Sequence, residues 1–158
     1  MTVEKLLGLD VPKRVQYLRV IVMELARITD HLVCNAVIGV DTGALTGFVY
    51  LFQQRELVYE IYEEICGARL TTNLGRIGGF ERDFTPKAWN KINKFLAEFP
   101  VVLKEFENLL KRNRIRSGNN HRIRSGNNHH VGTTLITTTL SSVNIIIIGQ
   151  QHYRRKSL

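Results

Sequence analysis

The amino-acid sequence predicts a mainly α fold, a helical bundle, and three observations point to this class. Apolar residues recur at alternating steps of three and four along three long segments. Residues typical of helix caps flank these segments. The run with strand-like composition lies near the C-terminus and lacks clean alternation. The chain has 158 residues, 44% hydrophobic and 23% charged, which suits one modest globular domain but names no function.

The first long helix is predicted to begin at Pro12, whose missing N–H would have no helical partner in the first turn anyway. Its apolar surface is wider than one stripe, which predicts burial on several sides within a larger bundle. We expect the helix to end between Asp41 and Gly43. The apolar stripe that defines it consists of Leu18, Ile21, Leu25, Ile28 and Leu32.

Cap residues delimit two further predicted helices. Thr46 is the predicted N-cap of the second helix, and Gly67 follows its last periodic residue as the predicted stop. Thr85 and Pro86 have the residue types of an N-cap and a first helical position, which predicts the start of the third helix. Pro100 lies inside this helix and removes one hydrogen bond, so we expect a kink there.

The C-terminal part of the chain carries the basic charge. Residues 1–110 contain 13 Lys and Arg against 14 Asp and Glu, whereas residues 111–158 contain 9 against 0. The net charge of +8 is therefore a property of the tail rather than of a folded face. We divide the chain into a helical segment, residues 1–113, and a low-complexity basic tail, residues 114–158, which is predicted to be largely irregular and disordered.

Two features of the tail bear on its structure and its partners. The octapeptide Arg114–His121 is repeated without a gap as Arg122–His129, and the run Leu135–Ile148 is rich in Thr, Val and Ile, with strand propensity. The basic charge of the tail suggests a nucleic acid as binding partner, but Tyr153 is the only aromatic residue in the tail on which a base could stack. We therefore expect no nucleic-acid partner.

Cysteine and histidine spacing predicts no metal site. Cys34 and Cys66 lie far apart inside apolar runs and are interpreted as reduced core residues. His31 has no second histidine at ligand spacing, so a zinc site is not expected. The chain opens without a secretory signal and has no apolar run long enough to span a bilayer. We expect a cytoplasmic location, with contact to a membrane surface through partners.

Polar residues of the first helix allow two interpretations each. Glu24, Arg27 and His31 are three and four residues apart and share one face, either as a buried polar network or as a solvated ladder of ion pairs. Periodicity alone favours the ladder. Asp41 either forms an ordinary Asx turn or presents a carboxylate at the helix end, and the residues alone favour the turn.

The loop over residues 68–84 offers a candidate cofactor surface. Arg69 and Arg76, with Gly78 and Gly79, would bring fixed cations and bare backbone close to an anionic cofactor. Ordinary loop packing explains the same residues equally well. The glycines do not form a phosphate-binding loop, since no Lys-Ser/Thr pair follows them and no strand precedes them.

Three segments resemble one known family. They are VEKLLGLDVPKRVQYLRVIVMELARITDH from Val3, DTGALTGFVYLFQQRE from Asp41 and GARLTTNLGRIGGFERD from Gly67. In this order they resemble the quinone-binding D subunit of bacterial NADH:quinone oxidoreductase (complex I), almost without a break from Val3 to about Ile115. Beyond Ile115 the sequence departs from the family. The resemblance therefore implies an internal fragment followed by a foreign tail, as a shifted reading frame would produce.

The resemblance implies a fold related to the nickel–iron hydrogenase large subunit, built around a helical bundle. It implies an oxidoreductase and translocase in which NADH binds a distant flavoprotein subunit and quinone is reduced in a cavity between subunits D and B. Subunits B and C are the expected partners, and the first of them is expected to hold the terminal iron–sulfur cluster. No metal is expected in this fragment. The subunit is expected to be peripheral on the cytoplasmic side of the inner membrane.

The resemblance also assigns roles to individual residues. Asp41 matches the family carboxylate that pairs with a histidine of the quinone site, a pairing that orients the histidine and stabilises its cationic form. Thr71 stands where many relatives place a histidine beside the cluster, which implies menaquinone as the substrate. Gly47 stands where many relatives carry a helix-opening proline. Arg69 and Arg76 remain candidate cofactor-binding residues.

The proton-donating residues of the family lie upstream of Met1. The fragment by itself is therefore not expected to catalyse. The alternatives are a non-catalytic helical interaction module, able to dock on the cluster-bearing subunit without turnover, and a pseudogene product.

Overall fold

The described residues of a computed structural model, 2–41, 43–112 and 128–155, form five α-helices and one short β-hairpin. Side chains are described for residues 2–41, 43–109 and 138–151. The mainly α fold class is confirmed. In chain order the elements are α1 (Thr2–Leu7), α2 (Lys13–Asp41), α3 (Leu45–Cys66), β1 (Gly75–Arg76), β2 (Gly79–Phe80), α4 (Pro86–Arg112) and α5 (Asn128–Arg155).

The long helix α2 packs against both α3 and α5, so it is covered on more than one side. This agrees with the wide apolar surface of its sequence. All five residues of the predicted stripe are buried, and three of them have no exposed surface at all. The rest of the core comes mainly from α3 and α4, with Val58, Ile61, Ile92, Phe95 and Phe99 among its members.

The two ends of α3 differ in how well the sequence predicts them. Gly67 adopts the left-handed conformation (φ 75°) and donates its N–H to the Glu63 carbonyl, which confirms the predicted stop. The predicted N-cap Thr46 is wrong, because the helix already includes Leu45 and is preceded by Ala44 without a side-chain cap. The helix therefore begins two residues earlier than predicted, directly after the backbone turn in which Gly43 and Ala44 N–H donate to the carbonyls of Val40 and Gly39.

The start of α4 is as predicted. The Thr85 hydroxyl oxygen accepts the Ala88 N–H at 3.1 Å, and the Thr85 carbonyl accepts the Trp89 N–H at 3.1 Å. Pro86 is the first helical residue. Pro100 lies inside the continuous helix Pro86–Arg112, and the kink at this position stays a prediction.

The C-terminal segment corrects one expectation. The run Leu135–Ile148, with its strand propensity, belongs to the helix Asn128–Arg155 rather than to an irregular segment. Packing explains the difference: Val143 and Ile146 are buried in the common core, and the Gly149 backbone lies close to Ile21 of α2. Burial of this face outweighs β-branched propensity, which spans only about 1 kcal/mol. Residues 113–127, with most of the tandem repeat, lie outside the described residues, and the domain division stays a prediction.

None of the described helices combines the length and the apolar character that crossing a membrane requires.

Candidate functional site

Asp41 is the last residue of α2, and its position bears on the two interpretations of its sequence. Two backbone hydrogen bonds close the turn to α3, from Gly43 N–H to the Val40 carbonyl and from Ala44 N–H to the Gly39 carbonyl, each at 2.8 Å. Gly43 takes the required positive φ of 77°. Because backbone groups and a glycine make this turn, it does not depend on the Asp41 carboxylate. The role of the Asp41 carboxylate stays a prediction.

The electrostatic setting of Asp41 is unfavourable for a negative charge. It is exposed at the C-terminal end of a helix, where the partial charge of the macrodipole is negative. A carboxylate there costs about 0.3–1 kcal/mol relative to a neutral residue. A cation from outside these elements would remove that cost.

An apolar cavity lies at the same end of the bundle. It has a volume of about 350 Å³ and is lined from α3 by Thr46 and Tyr50 and from α4 by Val102, Phe106 and Leu109, among others. Leu45 and Val49 on the neighbouring face are well exposed. Glu105 and Asn108 of α4 also line this cavity, so its wall is mixed in polarity.

The predicted loop carries the hairpin of β1 and β2. The strands pair antiparallel, with Gly75 opposite Phe80 and Arg76 opposite Gly79, and Gly78 turns the chain with φ 79°. Glu81 N–H donates to the Leu74 carbonyl at 2.9 Å just outside the strands. Leu74 is buried and fixes the base of the hairpin to the core.

Arg19 of α2 and Glu4 of α1 hold the hairpin by a buried ion pair that the sequence did not predict. The two nitrogens Nη1 and Nη2 of Arg19 donate to Oε2 and Oε1 of Glu4 at 2.9 and 2.6 Å. Nη2 also donates to the carbonyls of Arg76 at 2.7 Å and Gly79 at 2.8 Å. Oε1 of Glu4 accepts the Gly78 N–H at 2.7 Å. One buried pair therefore contacts both strands and the turn between them.

The same contacts determine the charge state of Glu4. The hydrogen bonds from Arg19, followed by the one from Gly78 N–H, lower the pKa of Glu4 to about 2, although burial acts in the opposite direction. Arg19, whose pKa is raised by the Glu4 hydrogen bonds, stays protonated. The pair is therefore fully charged at neutral pH.

The three candidate residues of the loop are exposed and do not form one cluster. Arg69 forms ion pairs with Glu56 and, at 3.5 Å, with Glu63, both on α3. Arg76 pairs with Glu81 at 3.0 Å across the hairpin. Thr71 lies between them along the chain and is exposed. Arg69 and Arg76 are each about half exposed, so both present charge to the surroundings.

A second cavity, of about 460 Å³, lies between the hairpin and α2. Its apolar wall includes Val22, Met23, Leu74 and Phe80, and Thr72 contributes a polar group. The exposed candidate loop therefore lies over an indentation in the surface rather than on a flat face.

Asp41 and the hairpin lie at different ends of α2. The Tyr62 hydroxyl donates to the Val22 carbonyl at 3.3 Å, which places the C-terminal part of α3 beside the first half of α2. From Val22 to Asp41 the helix axis extends about 28 Å at a rise of 1.5 Å per residue. The residues predicted from the sequence therefore lie in two separate regions: Asp41 at one end of α2, and Arg69, Thr71 and Arg76 in the loop at the other.

The polar face of α2 is partly buried. Glu24 is 7% exposed in its side chain and pairs with the half-exposed Arg27 at 2.8 Å. The interpretation as a solvated ladder is therefore wrong for Glu24. Nε2 of His31 is buried without a hydrogen-bond partner among the described residues.

The cysteines lie on different elements and make different contacts. Cys34 is exposed on α2, whereas Cys66 Sγ donates to the carbonyls of Tyr62 at 3.1 Å and Ala68 at 3.3 Å. The prediction that Cys34 is a core residue is therefore wrong. Within the described part of the chain, no group of three or more His, Cys, Asp and Glu residues is arranged to hold a metal ion.

Comparison with known proteins gives one family. The model of the family described as the 49 kDa subunit of respiratory-chain NADH dehydrogenase matches residues 41–130, which extends past Ile115. A protein of Flavobacterium johnsoniae, named as the D subunit of NADH-quinone oxidoreductase, is 75% identical over 115 residues, which are 73% of this chain and 28% of the relative. Proteins of the same name from Flavobacterium psychrophilum and Leptospira biflexa are 74% and 49% identical over equal shares of both chains. The chain thus spans 28% of the length of these relatives.

Proposed function

Because the chain belongs to the family of the 49 kDa subunit of respiratory-chain NADH dehydrogenase, we propose that it is a segment of the quinone-reducing subunit of a proton-pumping NADH:quinone oxidoreductase. In that role it helps to form the quinone cavity and the surroundings of the terminal iron–sulfur cluster. The observation that carries the proposal is the 75% identity over 115 residues with a protein named as a subunit of NADH-quinone oxidoreductase. Identity at this level over such a length indicates a common role for the matched segment.

The proposed quinone side is the end of α2 that carries Asp41. The carboxylate is exposed at a helix end that disfavours negative charge, and the first turns of α3, which follow it along the chain, line a cavity with Val102, Phe106 and Leu109 of α4. Both features suit a site where a cationic partner and an apolar substrate meet. In the complete subunit, Asp41 pairs with a histidine, orients its ring and supports its protonated form until the proton is delivered to the reduced quinone.

The test of this role is Asp41→Asn in the complete subunit within the assembled complex. The amide keeps the shape of the side chain but loses the charge, so assembly should persist while quinone reduction slows by about tenfold or more, since a positioned proton donor contributes about 10²–10⁴-fold. Asp30→Asn, the same change at an exposed position of α2, is the matched control and should leave turnover unchanged. Normal turnover of Asp41→Asn would remove Asp41 from the site.

The proposed cluster side is the loop that carries Thr71 and Arg76. The donor set of this chain does not suit cluster ligation, because Cys34 and Cys66 lie on different elements and Cys66 is occupied with backbone carbonyls. We therefore assign the cluster ligands to the neighbouring cluster-bearing subunit. The exposed hydroxyl of Thr71 is able to donate a hydrogen bond to a cluster sulfur, and Arg76 presents positive charge on the hairpin.

Threonine at this position predicts a specific electrochemical behaviour. A hydroxyl has no proton to exchange near neutral pH, whereas a histidine takes up a proton when the cluster is reduced. The cluster of the complete complex should therefore have a low and nearly pH-independent potential, suited to menaquinone. Redox titration between about pH 6 and 8 measures it, and Thr71→His should introduce a pH dependence. A slope near 59 mV per pH unit in the threonine protein, about one proton per electron, would contradict the assignment.

The partners follow from the same proposal. Subunits B and C cover the exposed surfaces around the hairpin and the Asp41 end, and NADH binds elsewhere in the complex. The subunit is peripheral, on the cytoplasmic side of the inner membrane, and reaches the membrane through its partners. Co-purification of the complete subunit with the cluster-bearing subunit tests the contact. Stable co-purification without quinone reduction would favour the interaction module.

A further inference from the structure

Arg19 joins three separate parts of the chain through one buried side chain. We propose that Arg19 is a positioning residue for the hairpin of β1 and β2, and through it for Arg76 on the proposed cofactor surface. What this surface meets rests on the proposed function. The anchoring itself is a property of this chain and can be measured without a partner.

The hairpin needs an anchor because little else holds its tip. Each strand has only two residues, and isolated two-stranded hairpins are marginally stable in water. Both residues of β1 are exposed, and Ile77 in the turn is 66% exposed. Leu74 secures the base of the hairpin but lies before the first strand. Phe80 of β2 is half-buried and packs against the core, so apolar contacts hold the end of the hairpin away from the turn. Residues 76–79 are held to the helices through polar groups.

The contacts of Arg19 are distributed so that they fix the tip in more than one direction. One carbonyl that it binds belongs to Arg76 in β1 and the other to Gly79 in β2. The Gly78 N–H between them donates to the carboxylate partner of Arg19. Three backbone groups on both sides of the turn are thus tied to one ion pair. A displacement of the tip would break several charge-assisted hydrogen bonds together.

The chemistry of this position requires an arginine. A guanidinium presents its donors in a planar fork: Nη1 binds one carboxylate oxygen, and the two N–H groups of Nη2 are shared among the other carboxylate oxygen and the two carbonyls. A lysine ammonium is a single point charge on a flexible stem and lacks this geometry. The Arg19 and Glu4 side chains are only 8% and 6% exposed, so water cannot readily replace lost contacts.

The anchor determines where the charge of Arg76 is placed. The Arg76 carbonyl is bound to Arg19, while its guanidinium pairs with Glu81 and remains about half exposed. Holding the carbonyl fixes the orientation of this peptide relative to α2. The position of the Arg76 charge on the surface therefore depends on Arg19, although Arg19 is itself buried.

Hydrogen exchange in the full chain is the first test. Arg19→Lys should accelerate exchange of the Gly78 amide about tenfold or more, as expected when charged hydrogen bonds are lost. The Phe95 amide in the interior of α4 should exchange at its original rate and serves as the readout of global folding, because amides at helix ends exchange through local fraying. Arg14→Lys is the matched control, because Arg14 lies on the same helix and forms an exposed ion pair with Asp83. An unchanged Gly78 rate in Arg19→Lys would overturn the proposal.

The charge swap Glu4→Arg with Arg19→Glu separates positioning from simple pairing. The swapped chain keeps two opposite charges, but its carboxylate faces the carbonyls of Arg76 and Gly79 and cannot donate to them. Because the swap also removes the carboxylate that accepts the Gly78 N–H, the readout in this variant is the Glu81 amide, which is bound to the Leu74 carbonyl; it should exchange faster than in the original chain. Full restoration of the original rate would show that only the ion pair matters and would overturn the proposal. If Arg19→Lys fails to fold, Glu4→Gln offers a milder change, and unaltered Gly78 exchange in that variant counts against the anchor.

Kinetics of the assembled complex test the consequence for the site. Arg19→Lys in the complete subunit should change KM or kcat for quinone reduction severalfold, while Arg14→Lys leaves both unchanged. Faster Gly78 exchange with unaltered kinetics would overturn the positioning role. Asp41→Asn reports separately on the proposed function, because Asp41 lies at the other end of α2. Failure of the Arg19 proposal and failure of the proposed function can therefore be told apart.

Discussion

Gly47 of α3 provides a sharp test of how tightly the bundle is packed. An added Cβ at Gly47 would lie 2.8 Å from Cε2 and 3.2 Å from Cδ2 of Phe106 on α4. Phe106 is 1% exposed, so its ring has little room to move away. Gly47 therefore permits a close approach of α3 and α4. The sequence marks this position only through the resemblance, as one where many relatives carry a helix-opening proline.

Two opposing effects determine the outcome of Gly47→Ala. Alanine is favoured over glycine in a helix interior by about 1 kcal/mol, and less in a first turn. Overpacking of a rigid core costs about 1–3 kcal/mol, and contacts below 3 Å require a shift of the ring. We expect a net loss of about 0.5–2 kcal/mol in the free energy of unfolding, which is the overpacking cost less the propensity gain.

Urea denaturation monitored by circular dichroism measures this loss. Gly39→Ala in α2 is the matched control, because its Cβ would meet the Ala44 carbonyl oxygen at an ordinary 3.6 Å. That substitution should be neutral or stabilising by up to about 1 kcal/mol. Phe106→Leu combined with Gly47→Ala should recover part of the loss. A neutral or stabilising Gly47→Ala would refute the packing argument.

Three further outcomes follow from the contacts described. The pKa of Glu4, about 2, lies below its ordinary value of 4.5. The ion pair therefore contributes stability that is complete above pH 4.5 and is lost as the pH falls towards 2. Between pH 5 and 2.5, the urea midpoint of the unchanged protein should fall more steeply than that of Glu4→Gln. Gly149→Leu should displace α5 and lower the thermal midpoint, because even a Cβ at this position would lie 3.3 Å from Ile21 Cγ1. Asn144→Leu, on the exposed face of the same helix, should leave the thermal midpoint unchanged. Thr85→Ala should cost about 1 kcal/mol by removing the N-cap of α4, and equal urea midpoints would argue against that cap.

The sequence predicts the elements whose signals are local. The buried stripe of α2 follows from spacing within one helix, and the caps at Gly67 and Thr85 depend on residues within one turn. Thr46 shows the limit of this reasoning, because the start of α3 is determined by the turn formed at Gly43. The helical form of Leu135–Ile148 depends on packing against α2, which composition does not reveal.

The anchor at Arg19 was not predictable from local pattern. Glu4 is 15 residues away along the chain, and the carbonyls of Arg76 and Gly79 are 57 and 60 residues away. The signal available was a single arginine between Leu18 and Ile21 on an apolar face, where long charged side chains are rarely buried without a partner. Such a residue indicates a buried partner but does not identify it. The fold is needed to bring Glu4 to it.

The separation of Asp41 from Arg19 predicts how their effects combine. About 28 Å of continuous helix lies between Val22 and Asp41, and sites more than about 10 Å apart without shared partners usually contribute additively. In the complete complex, the losses in kcat/KM caused by Asp41→Asn and Arg19→Lys should therefore multiply in the double variant. The measured kcat/KM of the double variant should agree with the product of the two single losses within about twofold, because additivity usually holds to about 0.5 kcal/mol. A double variant no worse than the more damaged single variant would mean that both residues act on one step through a shared element, and α2 would then transmit the position of the hairpin to the Asp41 end.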